Sequence, residues 1–233
     1  MIRSYGNDRG MRIGIIGGTG PAGTGLAARL AAAGATVSIG SRDPARGEEV
    51  ARRVRDSWKE LNLNLRGGGN ESAAEMDVVV IATPPEVAVS TTKPLADLLA
   101  GKVVVSMANA IWRDGKEFLA ILPPRGSVAA SLQAALPRSL LSGAFHHLPA
   151  ESLARLDLAL DADVMVFSDH SNAKETTMEL VRSIPGLRAF DVGSMAAATA
   201  VESLTAILVT VSVKYKGHAS LRLTGVLPRA ERL

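Results

Sequence analysis

A glycine pattern set between a strand and a helix constrains this chain more than any other feature. Residues 12–17 (RIGIIG) form an apolar, β-rich run of the kind expected in a buried strand, and Gly18-Thr19-Gly20-Pro21-Ala22-Gly23 follows at once. Residues 23–33 are rich in Ala and Leu at helical spacing, Gly34 supplies a stop, and 35–40 (ATVSIG) reads as a second strand. In that setting each glycine has a physical task. Gly18 permits the tight turn, Gly20 lets the backbone approach a pyrophosphate, and Gly23 lets helix and strand pack closely. The helix N-terminus adds free N–H groups and the positive end of its dipole. Alone the pattern is only a glycine-rich turn; with strand, helix and second strand in order it predicts dinucleotide binding.

The alternation continues. A charged helix opened by Pro44 is expected over 44–61, a weaker strand at 62–66, a glycine-rich turn at 67–69, and a short helix ending near Met76. The run 77–82 (DVVVIA) is nearly continuous in apolar residues, as for a strand covered on both faces; Thr83-Pro84-Pro85 stops it. A helix over 86–99 leads to a strand at 102–106. Beyond Met107 the signal blurs through 107–125, with a helix at 127–136, strands at 142–145, 163–167 and 187–192, and a long apolar helix from about 194 to 213. The pattern predicts an α/β, Rossmann-type, doubly wound and mostly parallel sheet. A nucleotide-binding domain over 11–141 would be joined to a smaller C-terminal portion over 142–233 that ends in the long helix.

Composition excludes several classes of function. With no cysteine there is no disulfide framework, thiol nucleophile or Cys-based metal site, and no metal is expected. A net charge of +3 and 3% aromatic residues are poor support for a nucleic-acid platform. The polar opening residues 1–10 lack the apolar core of a secretory signal, and a cytoplasmic protein is expected. The segment 196–213 approaches a membrane span in length, but Glu202 and several hydroxyl residues favour a buried or subunit-pairing helix.

The end of the second strand selects the dinucleotide. An NAD site places an acid there to bind the ribose 2′-hydroxyl; this chain has Gly40-Ser41-Arg42, with Arg46 one helical turn on. Ser41 offers a hydroxyl, Arg42 a planar fork matched to phosphate, and Arg46 projects from the same side, so the set predicts a 2′-phosphate and hence NADP(H).

Together with the glycine loop, 39–42 (IGSR) resembles the NADPH-dependent coenzyme F420 reductases, also called F420H2:NADP oxidoreductases. Later segments agree: 80–84 (VIATP), 144–150 (AFHHLPA), 201–205 (VESLT) and the closing 215–218 (YKGH), so the resemblance covers about residues 11–226. Residues 1–10 and 227–233 would be an extension and a tail. Many archaeal relatives carry Asn-Leu where Pro21-Ala22 stands, so only backbone contacts transfer there, and 107–125, with Asn109 and Trp112, matches poorly.

The resemblance implies reversible, direct hydride transfer between C4 of the nicotinamide and C5 of the deazaflavin F420, a co-substrate. Such a reaction needs two held rings and no protein nucleophile. Thr83 and Pro84 would wall the nicotinamide. His146 would hydrogen-bond the deazaflavin or offset charge growing on it, against the plainer reading of a histidine at a strand end. The apolar positions Met195, Val201, Leu204, Leu208 and Val211 would pair two copies into a homodimer. The alternatives are an NADP-dependent dehydrogenase or imine reductase of a small carbonyl compound, for which no Tyr–Lys pair is present, and a non-catalytic NADPH sensor.

Overall fold

The computed structural model describes residues 10–228; nearly all of the expected extension and most of the tail lie outside them. The order is β1 (Arg12–Ile16), α1 (Pro21–Ala32), β2 (Thr36–Ser41), α2 (Pro44–Ser57), β3 (Leu65–Gly69), α3 (Asn70–Ala74), β4 (Val78–Ile81), α4 (Pro85–Thr92), α5 (Ala96–Leu99) and β5 (Val103–Ser106). There follow β6 (Ile111–Asp114), β7 (Glu117–Ala120), α6 (Val128–Ala135), β8 (Leu140–Gly143), α7 (Ala150–Ala154), β9 (Ala162–Ser168), α8 (Ser171–Arg182), β10 (Leu187–Asp191) and α9 (Ala198–Tyr215).

Eight strands form one sheet in the order β10-β9-β8-β5-β4-β1-β2-β3, and β6 with β7 forms a separate hairpin. From β3 to β8 all pairings are parallel. The chain reverses at β9, which pairs antiparallel with β8 only at Ser142↔Ser168 and Gly143↔Phe167. Residues 162–166 of β9 therefore run past the carboxyl ends of the parallel strands, with β10 beside them, and build one wall above the sheet. The fold expectation of a doubly wound, mostly parallel sheet with a long final helix is met. The boundary expected at 141/142 falls inside β8, whose pairing with β5 carries the sheet across it.

Both faces are filled. α1, α2, α7 and α8 cover one side through residues such as Leu26, Leu30, Val50, Leu153 and Val181, while α4, α5, α6 and the start of α9 cover the other through Ala88, Leu99, Leu132 and Val201. The central strands read as continuous buried runs, as sheets covered on both faces require.

Several boundaries differ from expectation. The glycines at 67–69 form the end of β3 rather than a turn, because α2 lies directly on that strand: a Cβ on Gly67 would stand 1.9 Å from the Gly47 carbonyl oxygen. The helix expected over 86–99 breaks at Pro94 into α4, a 3-10 turn and α5. The stretch 107–125 contains the β6–β7 hairpin, turned at Gly115 with φ +58°. The strand expected at 142–145 ends at Gly143, so His146 and His147 lie in the loop behind it.

Two buried charged residues pin the loops to this frame. Arg29 of α1 donates through Nε to the Leu153 carbonyl at 3.1 Å, and through Nη2 to those of Ser152 at 2.8 Å and Leu158 at 2.8 Å, clamping 152–158 against α1. Burial lowers its pKa, against the opposing charge of Asp157. On β9 the carboxylate of Asp163 accepts two bonds from Arg188, at 2.6 and 2.7 Å, and one from the Leu223 N–H, which holds the segment after α9 against the projecting wall. Burial by itself would raise the Asp163 pKa; the Arg188 and Leu223 bonds and the Arg188 and Arg222 charges outweigh it and lower it.

Candidate dinucleotide site

The site starts from the turn after β1. The Gly18 N–H donates to the Gly40 carbonyl at 3.0 Å, which ties the loop to the end of β2. The Thr24 hydroxyl donates back to the Gly18 carbonyl at 3.0 Å. A Cβ on Gly23 would stand 2.8 Å from the Gly18 Cα, whereas one on Gly20 would meet nothing within 4 Å. The loop is thus closed underneath and open above Gly20, where a pyrophosphate needs room.

The helix starts differ in how they are capped, and α8 and α9 share with α1 the lack of a side-chain cap and of a first-turn acid. α2 is capped by Asp43, whose side chain accepts from the Ala45 N–H, and α6 by Ser127, which accepts from Ala130. α1 has Gly20 at its N-cap, Pro21 in its first turn, no side-chain cap and no acid in that turn. Its positive end is left for an external anion. Thr19, Pro21 and Ala22 border this end half-buried or exposed.

Ser41, the last residue of β2, is buried, and its Oγ accepts from the Asp43 N–H at 3.2 Å, so its own proton stays available. Arg42 and Arg46 are exposed on either side of the α2 start, and neither forms an ion pair with a carboxylate among the described residues. β2 ends on Ser41 rather than on an acid, and the nearest carboxylate in sequence, Asp43, is taken up as the α2 cap. The three residues chosen from sequence therefore meet at one place, with two uncommitted cations.

Asn70, which sequence reasoning missed, completes the loop: its Oδ1 accepts from the Gly17 N–H at 3.1 Å, and it is buried at the start of α3. The available signal was its position directly behind three glycines that end a strand. Thr83, behind β4, is also buried and packs on the same turn, since a Cβ on Gly17 would stand 2.4 Å from its Cγ2. Its hydroxyl has no hydrogen-bond partner among the described residues, and Pro84 beside it is exposed. β1 and β4 are neighbours, so Thr83 and the glycine loop share the carboxyl edge at the strand-order switch.

His146 lies further along that edge, behind β8. Its ring is 4% exposed and stacks on Phe167, with centroids 5.5 Å apart and planes at 17°. Neither ring nitrogen has a partner among the described residues; burial, with a smaller contribution from His147, pushes its pKa down to about 3. While it stays enclosed in this way, the ring is held in its neutral form. His147 Nε2 lies 2.7 Å from the Asp163 carbonyl, and burial lowers its pKa as well. A cavity of about 430 Å³ opens beside Thr19 and Pro21 between α1, α2 and α7. Ser41, Arg42, Thr83 and His146 lie outside its lining, so it is not the space these residues frame.

The expected stripe on the long helix divides. Val201 enters the core, Met195, Leu204 and Leu208 are half-buried, and Val211 (38% exposed) faces outward, as do Ile207 (60%) and Tyr215 (82%), which lie outside that stripe.

Comparison with known proteins agrees with this geometry. Residues 12–110 match the family model described as NADP oxidoreductase coenzyme F420-dependent. The F420-dependent NADP reductase of Methanocaldococcus jannaschii is 36% identical over 224 residues, covering 93% of this chain and 99% of that protein. That of Methanothermobacter thermautotrophicus is 30% identical over 227 residues, covering 95% and 97%. A solved structure from Arthrobacter sp. FB24, described as a candidate F420-dependent NADP reductase, superposes with a TM-score of 0.76 at 22% identity over 92% of this chain and 100% of that one, which supports the fold. With that likeness running nearly end to end, the chain belongs to the F420-dependent NADP reductase family.

Proposed function

We propose that this protein catalyses reversible hydride transfer between NADP(H) and the deazaflavin coenzyme F420. The observation that carries the reading is the end of β2, where a buried hydroxyl and two free arginines replace the acid of an NAD site, in a chain of this family. The two coenzymes supply the redox chemistry, a hydride passing between C4 of one ring and C5 of the other. The chain supplies position. The backbone of Gly18–Gly23 and the uncapped end of α1 receive the pyrophosphate, with Thr19, Pro21 and Ala22 shaping its edge. Ser41, Arg42 and Arg46 receive the 2′-phosphate.

Thr83 and Pro84 wall the nicotinamide, and the unpartnered Thr83 hydroxyl gives that wall a donor. His146 stands on the deazaflavin side as a neutral group, with one N–H to give if the ring is uncovered. NADPH gives the hydride and leaves as NADP+, and the proton that completes the reduced deazaflavin is taken from solvent, so no protein acid or base is required; effective molarities of about 10⁵–10⁸ M are attainable by orientation alone. Purified protein mixed with NADPH and oxidised F420 is expected to bleach the visible absorption of the deazaflavin. Bleaching no faster than in a protein-free control would refute the assignment.

The helix spanning 195–215 is long and apolar enough to cross a membrane. Its polar residues are instead committed to the fold: the buried Glu202 carboxylate accepts the Val128 and Ala129 N–H groups at 2.8 and 3.0 Å, and the Thr210 hydroxyl accepts from the Phe118 N–H at 2.7 Å. We read the protein as cytoplasmic on that ground. The outward residues of α9 lie beside the β6–β7 hairpin, which exposes Trp112 (63%) and Leu119 (50%), and a homodimer paired through this apolar face is our reading of what covers it. Light scattering at micromolar concentration is expected to give twice the chain mass, reduced to one chain by Ile207→Asp with Val211→Asp; a monomeric unmodified protein would exclude it.

A further inference from the structure

Three separate segments are knotted together beside the cleft by side chains that no helix or strand requires. Asn109 lies three residues past the end of β5, His146 three residues past the end of β8, and Thr205 in the second turn of α9. The Asn109 Nδ2 donates to the His146 carbonyl at 2.7 Å. The Thr205 hydroxyl lies 3.1 Å from the Asn109 Oδ1 and 3.2 Å from that same carbonyl, and donates to one or the other. With the Thr205 proton on Oδ1, both ends of one amide are engaged, one on a loop backbone and one on a buried helix residue; with it on the carbonyl, Asn109 and Thr205 both hold the His146 main chain.

The surroundings make this clasp a device for position. One turn before Thr205, Glu202 takes two N–H groups at the start of α6 and so sets the register of α9. Burial raises the Glu202 pKa, partly countered by those two bonds. Phe145, directly before His146, sits in the left-handed region at φ +65°, a conformation that persists in a non-glycine residue only where neighbours hold it. The clasp holds the next residue, and His147 is held in turn at the Asp163 carbonyl. Asn109 itself is only half-buried, unlike a residue devoted to packing.

We propose that Asn109, with Thr205 as its partner, is a positioning residue for hydride transfer, holding the main chain of 145–147 at the spacing that keeps the two rings in near-attack geometry. This rests on the reaction proposed above. A misplacement of about 1 Å can cost about a hundredfold in rate, so a hydrogen bond that places a loop can matter without touching either ring.

The test uses Asn109→Val, Thr205→Val and the conservative Thr205→Ser. In Asn109→Val, kcat is expected to fall about tenfold or more, with KM for NADPH within about twofold and a larger primary isotope effect from NADPH deuterated at the transferred position. Thr205→Val should behave alike, Thr205→Ser should retain the original values, and the double valine variant should be no worse than the poorer single one. In the ligand-free protein, amide exchange over 144–148 should speed by about tenfold in both valine variants. Unchanged kcat and isotope effect in Asn109→Val, or unchanged exchange at 144–148, would overturn the inference. Should Asn109→Val fail to fold, the Thr205 pair decides it by the same measures. If the unmodified protein fails to reduce F420, the reaction itself is wrong, and this inference falls with it whatever the exchange rates show; an active unmodified protein with an indifferent Asn109→Val overturns the inference alone.

Discussion

Replacing Arg42 and Arg46 together by Ala is expected to weaken NADPH binding about a hundredfold or more while leaving NADH binding nearly unchanged. Each charge-assisted hydrogen bond to a phosphate contributes about 1.5–3 kcal/mol, and two lost bonds would give a larger factor in a dry site. Both arginines are exposed, so solvent screening puts the expected loss at the lower end. The geometry favours selectivity over a general loss. α2 keeps its Asp43 cap at 3.0 Å from the Ala45 N–H, and the Gly18 bond to the Gly40 carbonyl does not involve either side chain. Titration of both cofactors against the double variant measures the ratio, and equal losses for NADPH and NADH would show that no 2′-phosphate is held there.

Gly14→Ala is expected to be the more damaging change to the fold, costing about 3 kcal/mol or more, or about 6–12 °C in melting temperature. A Cβ at Gly14 would stand 1.8 Å from the Ala73 carbonyl oxygen and 2.6 Å from its carbon. Neither side can yield easily. β1 is paired on both edges, by β2 and β4, and Ala73 belongs to the backbone of α3. Displacing α3 also moves Asn70, whose Oδ1 holds the Gly17 N–H, so any folded fraction should bind NADPH more weakly. Urea or thermal unfolding measures the loss, and a cost below about 1 kcal/mol would contradict this close packing of helix on strand.

The half of the fold that binds the dinucleotide was legible because its signals are local. Runs such as Val78–Ile81 and 103–105 are apolar on every residue, and the glycine loop sits between a strand and a helix, where a Rossmann unit puts it. The placement of Ser41, Arg42 and Arg46 at the end of β2 and the start of α2 was legible for the same reason, being set by position along one strand and one helix turn. What escaped depends on contacts distant in sequence. The glycines of β3 looked like a turn because nothing local reveals that Gly47 of another element lies against them. Asn70 reaches Gly17 across 53 residues, and Thr205 reaches Asn109 across 96. The hairpin within 107–125 left one usable sign, Asp114-Gly115, whose left-handed glycine turns β6 into β7. The motif holding His146 was found, but its enclosure against Phe167 and its two unpartnered nitrogens follow from β9 crossing over Gly143, a pairing no local pattern announces.

The central claim is that this chain brings two coenzyme rings together and adds no reacting atom of its own. Its most direct test is transfer of label: oxidised F420 is reduced by the purified protein in ordinary water with NADPH deuterated at the transferred C4 position, and the product is analysed by NMR. The account predicts deuterium at C5 of the reduced deazaflavin, one atom for each NADPH oxidised. Hydrogen from solvent at that carbon, or oxidation of NADPH with no reduced deazaflavin formed, would contradict it.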